Sequence, residues 1–391
     1  MSRLRRLSPW IQTLLVVLAT VVLYVVTARV GLQLALPPEK KATAVWLPSG
    51  IALAAILLGG YRVWPGIWFG AFIANAWDIF SPAREFSLGA HLAVSSGIAV
   101  GSTLQPLLGA FLMNRWIGRD NFLESARSIF QFIGITLLVC LVASTVGVTT
   151  LMIAGFAPWS KYVFAWWTWW VGDTIGILIV TPVILSWSKL TGFKWELRRL
   201  GEAALLLALL LGVTLFVFAG WSPWGLVANT LAYLTVPLLV WAAFRFGPHG
   251  ATASLLVVSK VAVWGTAHDH GPFVQQTLHE SLLLLQTFVG VLAVTTLALA
   301  GVLAERRRAE QSRLGAIDQL EHALHEIKTL RGLIPICAWC KKIRNDAGSW
   351  EQLEAYLRNH TEARFSHGIC PECVEKRQGS FPHPDGGATA P

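Results

Sequence analysis

Long apolar stretches, separated by short polar or glycine-rich segments, fill most of the chain up to about residue 304. A transmembrane helix needs roughly 20 mostly apolar residues. The second and third stretches are short and share the hinge Gly59-Gly60-Tyr61-Arg62, so they form a helical hairpin or include a re-entrant helix. We predict an all-α integral membrane protein, a polytopic bundle of about 8–10 transmembrane helices. The candidate spans are about 10–30, 44–59, 63–80, 88–112, 129–153, 162–187, 203–220, 226–246, 251–267 and 282–304.

After residue 304 the chain turns polar, and an apolar residue recurs every three or four positions. A heptad seam runs through Ile317, Leu320, Leu324 and Ile327, and Pro335 should end the helix. We predict a cytoplasmic signalling helix or short coiled coil over 305–334 that forms a homodimer through residues 310–334. The alternative is a single amphipathic helix that packs on another protein.

The composition excludes a soluble globular protein. Of the 391 residues, 54% are hydrophobic and 14% are charged, whereas a soluble protein carries about a quarter charged residues. The membrane part, residues 1–304, holds 18 of the 31 Lys and Arg but only 10 of the 22 Asp and Glu. An excess of positive charge in that part indicates a topology signal rather than a surface for nucleic acid. We therefore expect the lipid bilayer as a partner, and no nucleic acid.

The basic residues also predict an orientation. With a cytoplasmic N-terminus, the outer loops contain few basic residues, namely Lys40, Lys41, Arg84 and Lys161. The inner loops and the segment that follows the last span contain most of the basic residues: Arg62, Arg115, Arg119, Arg127, Lys189, Lys194, Arg198, Arg199, Arg245, Arg306, Arg307 and Arg308. By the positive-inside rule, both termini should face the cytoplasm. The first span is too long for a cleaved signal peptide, and we interpret it as a retained anchor.

Two ionisable residues interrupt the spans, and such residues are costly in a bilayer and often functional. Asp173 lies in the sixth span and Lys260 in the ninth. We predict that they couple; the alternatives are a purely structural ion pair, or a Lys260 side chain that reaches the interface. The group Pro48-Ser49-Gly50 is the best candidate for a real helix break, of the kind that builds binding sites in membrane proteins.

Aromatic and histidine residues complete the candidate set for ligand binding or coupling, which is Asp173, Lys260, Trp46, Trp170 and His268. The run 166–170 holds four indoles in five residues, so some must face other helices, where an indole N–H needs a partner. Most other Trp residues near span ends fit an interfacial belt. His268 belongs to the sequence His268-Asp269-His270, which is either a solvated turn or a short metal-binding cluster.

Five segments in order resemble the membrane-associated sensor domains of type one, over about residues 10–304. They are Val45-Trp46-Leu47-Pro48-Ser49-Gly50-Ile51, Trp64-Pro65-Gly66, the segment 166–173, Trp241-Ala242-Ala243-Phe244-Arg245-Phe246-Gly247 and Gly271-Pro272-Phe273. The resemblance implies a bacterial inner-membrane sensory module, which in this family is usually joined to a histidine kinase or diguanylate cyclase domain. It names no stimulus.

Four of the five cysteines form two pairs in the tail, Cys337-Ala338-Trp339-Cys340 and Cys370-Pro371-Glu372-Cys373. Two such turns can supply four thiolates to one tetrahedral zinc. Redox-active thiols and plain thiols are the alternatives, while structural disulfides are not expected in a cytoplasmic tail. We predict a zinc-binding-like module over 335–377, with spare ligands at His360 and His367 and a short helix over 350–359. Its apolar anchors would be Trp339, Trp350, Leu353, Tyr356, Leu357 and Phe365.

Residues 330–377 also resemble cysteine-rich C-termini of bacterial signalling proteins, including response regulators, through Leu333–Arg344 and Phe365–Cys373. The last segment, 378–391, is rich in Gly and Pro and is predicted to be disordered. Cys140, inside the fifth span, is expected to be a packing residue.

These observations predict a multi-pass sensory protein of the bacterial inner membrane. The bundle 1–304 would sense a stimulus and the helix would relay it to the cysteine module, which would act on a cytoplasmic signalling protein of unknown identity. No kinase, cyclase, hydrolase or phosphate-loop pattern is present, so we expect no enzyme activity. The alternatives are a secondary transporter of a small polar solute and a redox switch that uses the tail thiols.

Overall fold

The structure is a computed structural model that describes residues 8–33, 43–77, 86–118, 123–188, 196–220, 231–326, 334–345, 347–361 and 363–378. The chain divides into two units, 1–309 and 310–391. The predicted disordered segment lies outside the described residues from position 379 onward, as do residues 226–230 of the eighth predicted span.

The first unit is helical in all of its described elements. The helices that begin in it are α1 (Pro9–Gln33), α2 (Leu47–Gly59), α3 (Trp64–Ala76), α4 (Leu88–Trp116), α5 (Ala126–Ile153), α6 (Tyr162–Ser188), α7 (Leu197–Phe218), α8 (Thr235–Ala267) and α9 (Leu278–Glu326). Seven helices in the described residues are long and apolar enough to cross a membrane. The exceptions are α2 and α3, whose 13 residues each extend about 20 Å, short of the ~30 Å hydrocarbon core. The predicted polytopic helical bundle is therefore confirmed, but not as ten separate full-length spans.

The short helices α2 and α3 form a hairpin beside α1. At the start of α2, the Trp46 ring packs on Gly31 near the end of α1, and at its end Gly59 contacts Val16. Helix α2 therefore runs antiparallel to α1. After the hinge, which has Gly60 at φ 79°, helix α3 runs back along α1, because Gly66 contacts Val17 and Gly70 contacts Tyr24. Of the two arrangements left open by the sequence, this packing favours the helical hairpin.

Helix α8 combines the eighth and ninth predicted spans and is interrupted at Gly247 (φ 65°, ψ −149°). Arg199, at the start of α7, lines the same pocket as Arg245 just before this kink. Phe218, at the end of α7, packs against Gly265 near the end of α8. The part of α8 after the kink therefore runs alongside α7 in the same direction. Between the end of α7 and the kink, the chain therefore has to run in the direction opposite to α7. The kink separates that stretch from the part of α8 that runs in the same direction as α7.

Serine caps explain where two of the long helices begin. The Ser87 hydroxyl accepts a hydrogen bond from Ala90 N (3.2 Å) at the start of α4. At the start of α5, Ser125 and Ser128 form a reciprocal capping box. Each cap satisfies backbone N–H groups that a helix leaves without an internal partner.

The second unit contains a small cysteine-bearing fold. Strand β1 (Ile343–Arg344) pairs antiparallel with β2 (Trp350–Glu351), and helices α10 (Leu353–His360) and α11 (Pro371–Gln378) follow. The predicted helix over 350–359 therefore begins three residues later, because Trp350 pairs with Arg344 in the sheet. Ile343 is fully buried, whereas Trp339 is 95% exposed and is not the predicted anchor. Trp339 lies at the tip of the turn between two cysteines, where its side chain has no core to enter.

The polar part of α9 continues as a helix to Glu326. Ile317 and Leu320 are exposed along it, as the unpaired seam of a coiled coil would be. Ile327 and the predicted end of the helix, up to residue 333, lie outside the described residues, and nothing is described of the Leu324 side chain.

Candidate functional site

Asp173 lies in the interior of the bundle, where it is 6% exposed. It belongs to α6, and its Oδ1 accepts a hydrogen bond of 2.6 Å from the Ser49 hydroxyl in the first turn of α2. A buried carboxylate is costly unless it is hydrogen-bonded. The bond from Ser49 therefore ties the two helices together at the most costly group in the core.

The segment before α2, residues 43–46, is not helical, and its central residues Ala44 and Val45 are buried. Its backbone groups find partners on other helices: Trp46 N donates to Gly172 O (3.0 Å), and Gln286 Nε2 of α9 donates to Ala44 O (3.2 Å). Irregular backbone at membrane depth is tolerated only where protein supplies such partners. The helix break expected at Pro48-Ser49-Gly50 lies just before that group, over residues 43–46, because the three residues form the first turn of α2. It ends where Pro48 enters the first turn of α2, a position that suits proline.

Close contact between α2 and α6 depends on two glycines. A Cβ on Gly176 would overlap the Trp46 carbonyl oxygen, and a Cβ on Gly50 would overlap the Gly176 carbonyl oxygen. At the same crossing, the Thr181 hydroxyl donates to Gly50 O (2.9 Å). Without side chains at these glycines, backbones approach closely, as in other membrane helix pairs.

This crossing places a carboxylate at the N-terminal end of α2. A helix carries partial positive charge there, from N–H groups that have no helical acceptor. Asp173 reaches that end through the Ser49 hydroxyl. One hydroxyl and one helix end thus stabilise a potential negative charge on Asp173 in the core. A change in either should disturb the packing of α2 against α6.

Lys260 does not pair with Asp173. Both residues are described, and neither makes an ion pair with the other within 4.0 Å; the described hydrogen-bond partner of the Asp173 carboxylate is Ser49. Lys260 is exposed and lines a narrow apolar pocket together with the segment 43–45 and Ser259. Asp173 does not line that pocket.

The indole run behaves as the sequence predicts. Trp170 Nε1 donates to Leu137 O (2.9 Å), and Trp166 Nε1 donates to Thr145 Oγ1 (3.0 Å), both on α5. The Trp166 and Trp170 rings stack with centroids 6.1 Å apart. Trp170 therefore joins α5 to the helix that carries Asp173, without contacting the carboxylate in any described bond.

His268 lies at the end of α8, in a turn closed by His268 N to Trp264 O (3.2 Å) and His270 N to Gly265 O (2.9 Å). Its Nδ1 lies 2.8 Å from Trp264 O, and Asp269 adopts the left-handed conformation. In the part of the chain that the structure describes, no three His, Cys, Asp or Glu side chains are grouped to hold a metal ion. The geometry here is that of the turn, which was the other interpretation.

The sequence reasoning did not assign Ser49, Gly176, Thr181 or Gln286 to the site. One signal was present: Gly172 and Gly176 are four apart, a spacing typical of closely packed membrane helices. The others could not be found, because a serine, threonine or glutamine in an apolar span gives no indication of its partner before the helices are packed.

The two cysteine pairs in the tail adopt different turns. The first is closed by Lys341 N to Cys337 O (3.0 Å) and Cys337 N to Lys342 O (2.8 Å), with Lys341 at φ 57°. The second lies at the start of α11, where Cys370 O accepts from Cys373 N (3.0 Å) and Val374 N (3.1 Å).

Both turns favour a thiolate at their first cysteine. The backbone N–H of Cys340, followed by that of Trp339, lowers the pKa of Cys337 below its ordinary value. The backbone N–H of Cys373, followed by its side chain, likewise lowers the pKa of Cys370. Thiolates are both the zinc ligands and the redox nucleophiles of proteins. The donor chemistry fits zinc, but the pairs do not meet: the described residues contain no group of three metal ligands.

A comparison with protein-family models finds one match, the family described as MASE1, over residues 15–308. That range is more than half of the chain and includes α2, α6 and the part of α9 that contacts them. No curated protein matches the chain. No solved structure matches it either.

Proposed function

The chain belongs to the MASE1 family, a membrane-associated sensor domain of signalling proteins, and on this premise we propose that it is a sensory protein of the bacterial inner membrane. The bundle senses a stimulus, and the polar helix relays it to the cysteine module and a cytoplasmic signalling protein. Both termini face the cytoplasm in this proposal. Reporter fusions after residues 198 and 304 should both give a cytoplasmic signal, and a periplasmic signal at either would contradict this orientation.

The observation that carries the proposal is the continuity of α9. Gln286, inside the bundle, donates to the carbonyl of Ala44 in the buried segment before α2. The same helix continues without interruption to Glu326. A change in the packing of α2 and α6 around Asp173 therefore has a direct mechanical route through Gln286 to the polar part of α9. We place the sensing site at this crossing.

Hydrogen exchange of the full chain in lipid nanodiscs tests the route. Ser49→Ala removes the hydroxyl that binds Asp173, and we expect it to change the exchange of residues 305–326. Ser144→Ala is the matched control, because Ser144 is equally buried but its hydroxyl bonds only Cys140 O of its own helix (2.9 Å). An equal effect of both variants, or none from either, would contradict the relay. Concentrative solute uptake by liposomes that contain the chain would support the transporter alternative.

For the tail we propose one zinc held by Cys337, Cys340, Cys370 and Cys373, which requires the two pairs to come together when the metal binds. Two observations support it: each pair lies in a tight turn, and the first cysteine of each pair favours the thiolate. Elemental analysis of the full chain should give one zinc per protein, and Cys370→Ser should reduce it. Cys140→Ser is the control, because Cys140 is buried in α5.

The same thiols favour a second candidate, a redox switch. All five cysteines are free, and Cys340, Cys370 and Cys373 are exposed. Metal-free protein whose tail thiols oxidise reversibly would support the switch and defeat the zinc proposal.

We also propose that the chain dimerises through residues 310–334. The exposed apolar seam residues Ile317 and Leu320 support this, since a water-exposed seam gains stability when a second helix covers it. Ile317→Lys should reduce the dimer fraction measured by mass photometry in nanodiscs. Gly315→Lys, beside the seam, is the control, and equal effects would contradict this interface.

A further inference from the structure

The kink of α8 leaves one backbone carbonyl without its helical donor. Phe244 O would accept from the residue four positions later, which is Pro248, and proline has no N–H. Arg307 of α9 supplies the missing hydrogen bond, because its Nη2 donates to Phe244 O. Its Nη1 lies 3.0 Å from the position that a Cβ on Gly247 would take. Glycine at the kink is therefore favoured by its positive φ, and a side chain there would crowd the guanidinium of Arg307.

Two more arginines face the same space. Arg199, Arg245 and Arg307 line a pocket of about 340 Å³ together with Phe244 and Phe246. The three arginines come from α7, α8 and α9, so the pocket is a junction of three helices. Its described lining contains no carboxylate.

The charge in this pocket is only partly neutralised. Glu202 pairs with Arg245, and the same carboxylate lies 3.7 Å from Arg198. Glu124 is engaged by Arg308, and Glu305 accepts from Ala126 N (3.2 Å). Arg307 donates to a neutral carbonyl, and Arg199 interacts with Glu202 through its charge but makes none of these hydrogen bonds. Converging guanidinium groups with unused donors are suited to phosphate, which they bind in a bidentate manner.

We propose that this pocket binds a phosphate-bearing anion between α7, α8 and α9. The phosphate would accept hydrogen bonds from Arg199 and Arg307, with Arg245 completing the positive field. Basic pockets between transmembrane helices at the predicted cytoplasmic face are suited to anionic lipid headgroups, and a soluble phosphate has the same chemistry. Arg307 lies in α9 just after the last predicted span. The bound anion would therefore hold this part of α9 in place. The binding itself does not depend on the proposed sensing function.

Native mass spectrometry of the delipidated full chain tests the proposal. We expect phosphatidylglycerol to bind more tightly than phosphatidylcholine, and Arg307→Gln to weaken it about tenfold, the loss of roughly one charge-assisted hydrogen bond. Arg306→Gln is the matched control, since it removes the same charge one residue away but does not line the pocket. Arg199→Gln is the second variant, and it leaves the bond from Arg307 to the kink intact.

A titration with inorganic phosphate, on protein in phosphatidylcholine nanodiscs, separates the two sources. Binding of phosphatidylglycerol alone identifies a lipid headgroup, and binding of inorganic phosphate identifies a soluble ligand. The proposal is overturned if Arg199→Gln and Arg307→Gln bind both probes as tightly as Arg306→Gln does. Equal losses in all three variants would also overturn it, because they would reflect general surface charge rather than the pocket.

Discussion

The membrane unit and the tail bury their residues to very different extents. In the first, polar groups such as Asp173 and Gln286 are buried and bonded to another helix or segment. In the second, Ile343 is the fully buried side chain among the described residues, while Ile336, Trp339 and Ile369 are all at least half exposed. A unit of this size rarely holds together by its core alone. From this comparison we infer that helix packing maintains the first unit, and we propose that a metal or another protein surface maintains the second.

Metal removal should separate the two units most clearly. If zinc holds the tail, a chelator should abolish hydrogen-exchange protection at Ile343 and in α10, because the metal's binding energy would be much of the folding energy there. Protection in α4 and α5 should not change. A tail that keeps its protection without metal would remove this difference between the units.

The membrane unit should be most sensitive where its helices touch. Gly176→Ala should lower the free energy of unfolding by about 3 kcal/mol or more, because the new methyl group would overlap the Trp46 carbonyl and force α2 from α6. Gly134→Ala in α5 is the control, since a Cβ there meets no atom within 4 Å. Denaturant unfolding in detergent measures the free energy of unfolding of both variants. Equal stability of the two would show that α2 and α6 are not closely packed at Gly176.

Loss of the Ser49 hydroxyl should have a smaller effect. Ser49→Ala leaves Asp173 buried without its described partner, and we expect a loss of about 1–3 kcal/mol in the same unfolding measurement. Ser144→Ala should lose less, because the backbone carbonyl that its hydroxyl bonds already lies within a helix. Equal losses of stability in the two serine variants would show that the Ser49 hydroxyl does not stabilise the buried Asp173.

The tail thiols should differ from one another in pH dependence. Since hydrogen bonds lower the pKa of Cys337 and Cys370, their thiolates should persist at a pH below the ordinary thiol value of about 8.5. In metal-free protein, alkylation of these two should therefore remain fast as the pH falls, while a model thiol slows several-fold. Peptide mass spectrometry at each pH gives the rates, and a profile identical to that of the model thiol would contradict the turn geometry.

The smallest expected effect is the coupling between Asp173 and Lys260. The two side chains make no ion pair, so Asp173→Asn and Lys260→Met should be additive within about 0.5 kcal/mol. A larger coupling energy in the double-mutant cycle would mean that the bundle brings them together in another state.

The sequence by itself determined the class of the protein and most of its segments. Apolar runs of sufficient length predict membrane helices, because the bilayer accepts little else. The partners required by the 166–170 indoles also follow from local chemistry, and so does a helix break near Pro48, although its position was predicted a few residues too late. These predictions succeed because they depend on backbone hydrogen bonds and burial, which are properties of a short stretch of chain.

Only the tertiary structure decided which polar groups meet. Asp173 binds Ser49, which lies 124 positions away, rather than Lys260, and Arg307 caps a carbonyl 63 positions earlier. The opposite charges suggested that Asp173 pairs with Lys260, but the small residues determined the actual partner. Gly172 and Gly176 allow the buried segment and the start of α2 to pack closely against α6. This packing places the Ser49 hydroxyl within hydrogen-bond distance of the carboxylate. Such contacts depend on the relative position of two helices, which the sequence of neither helix contains.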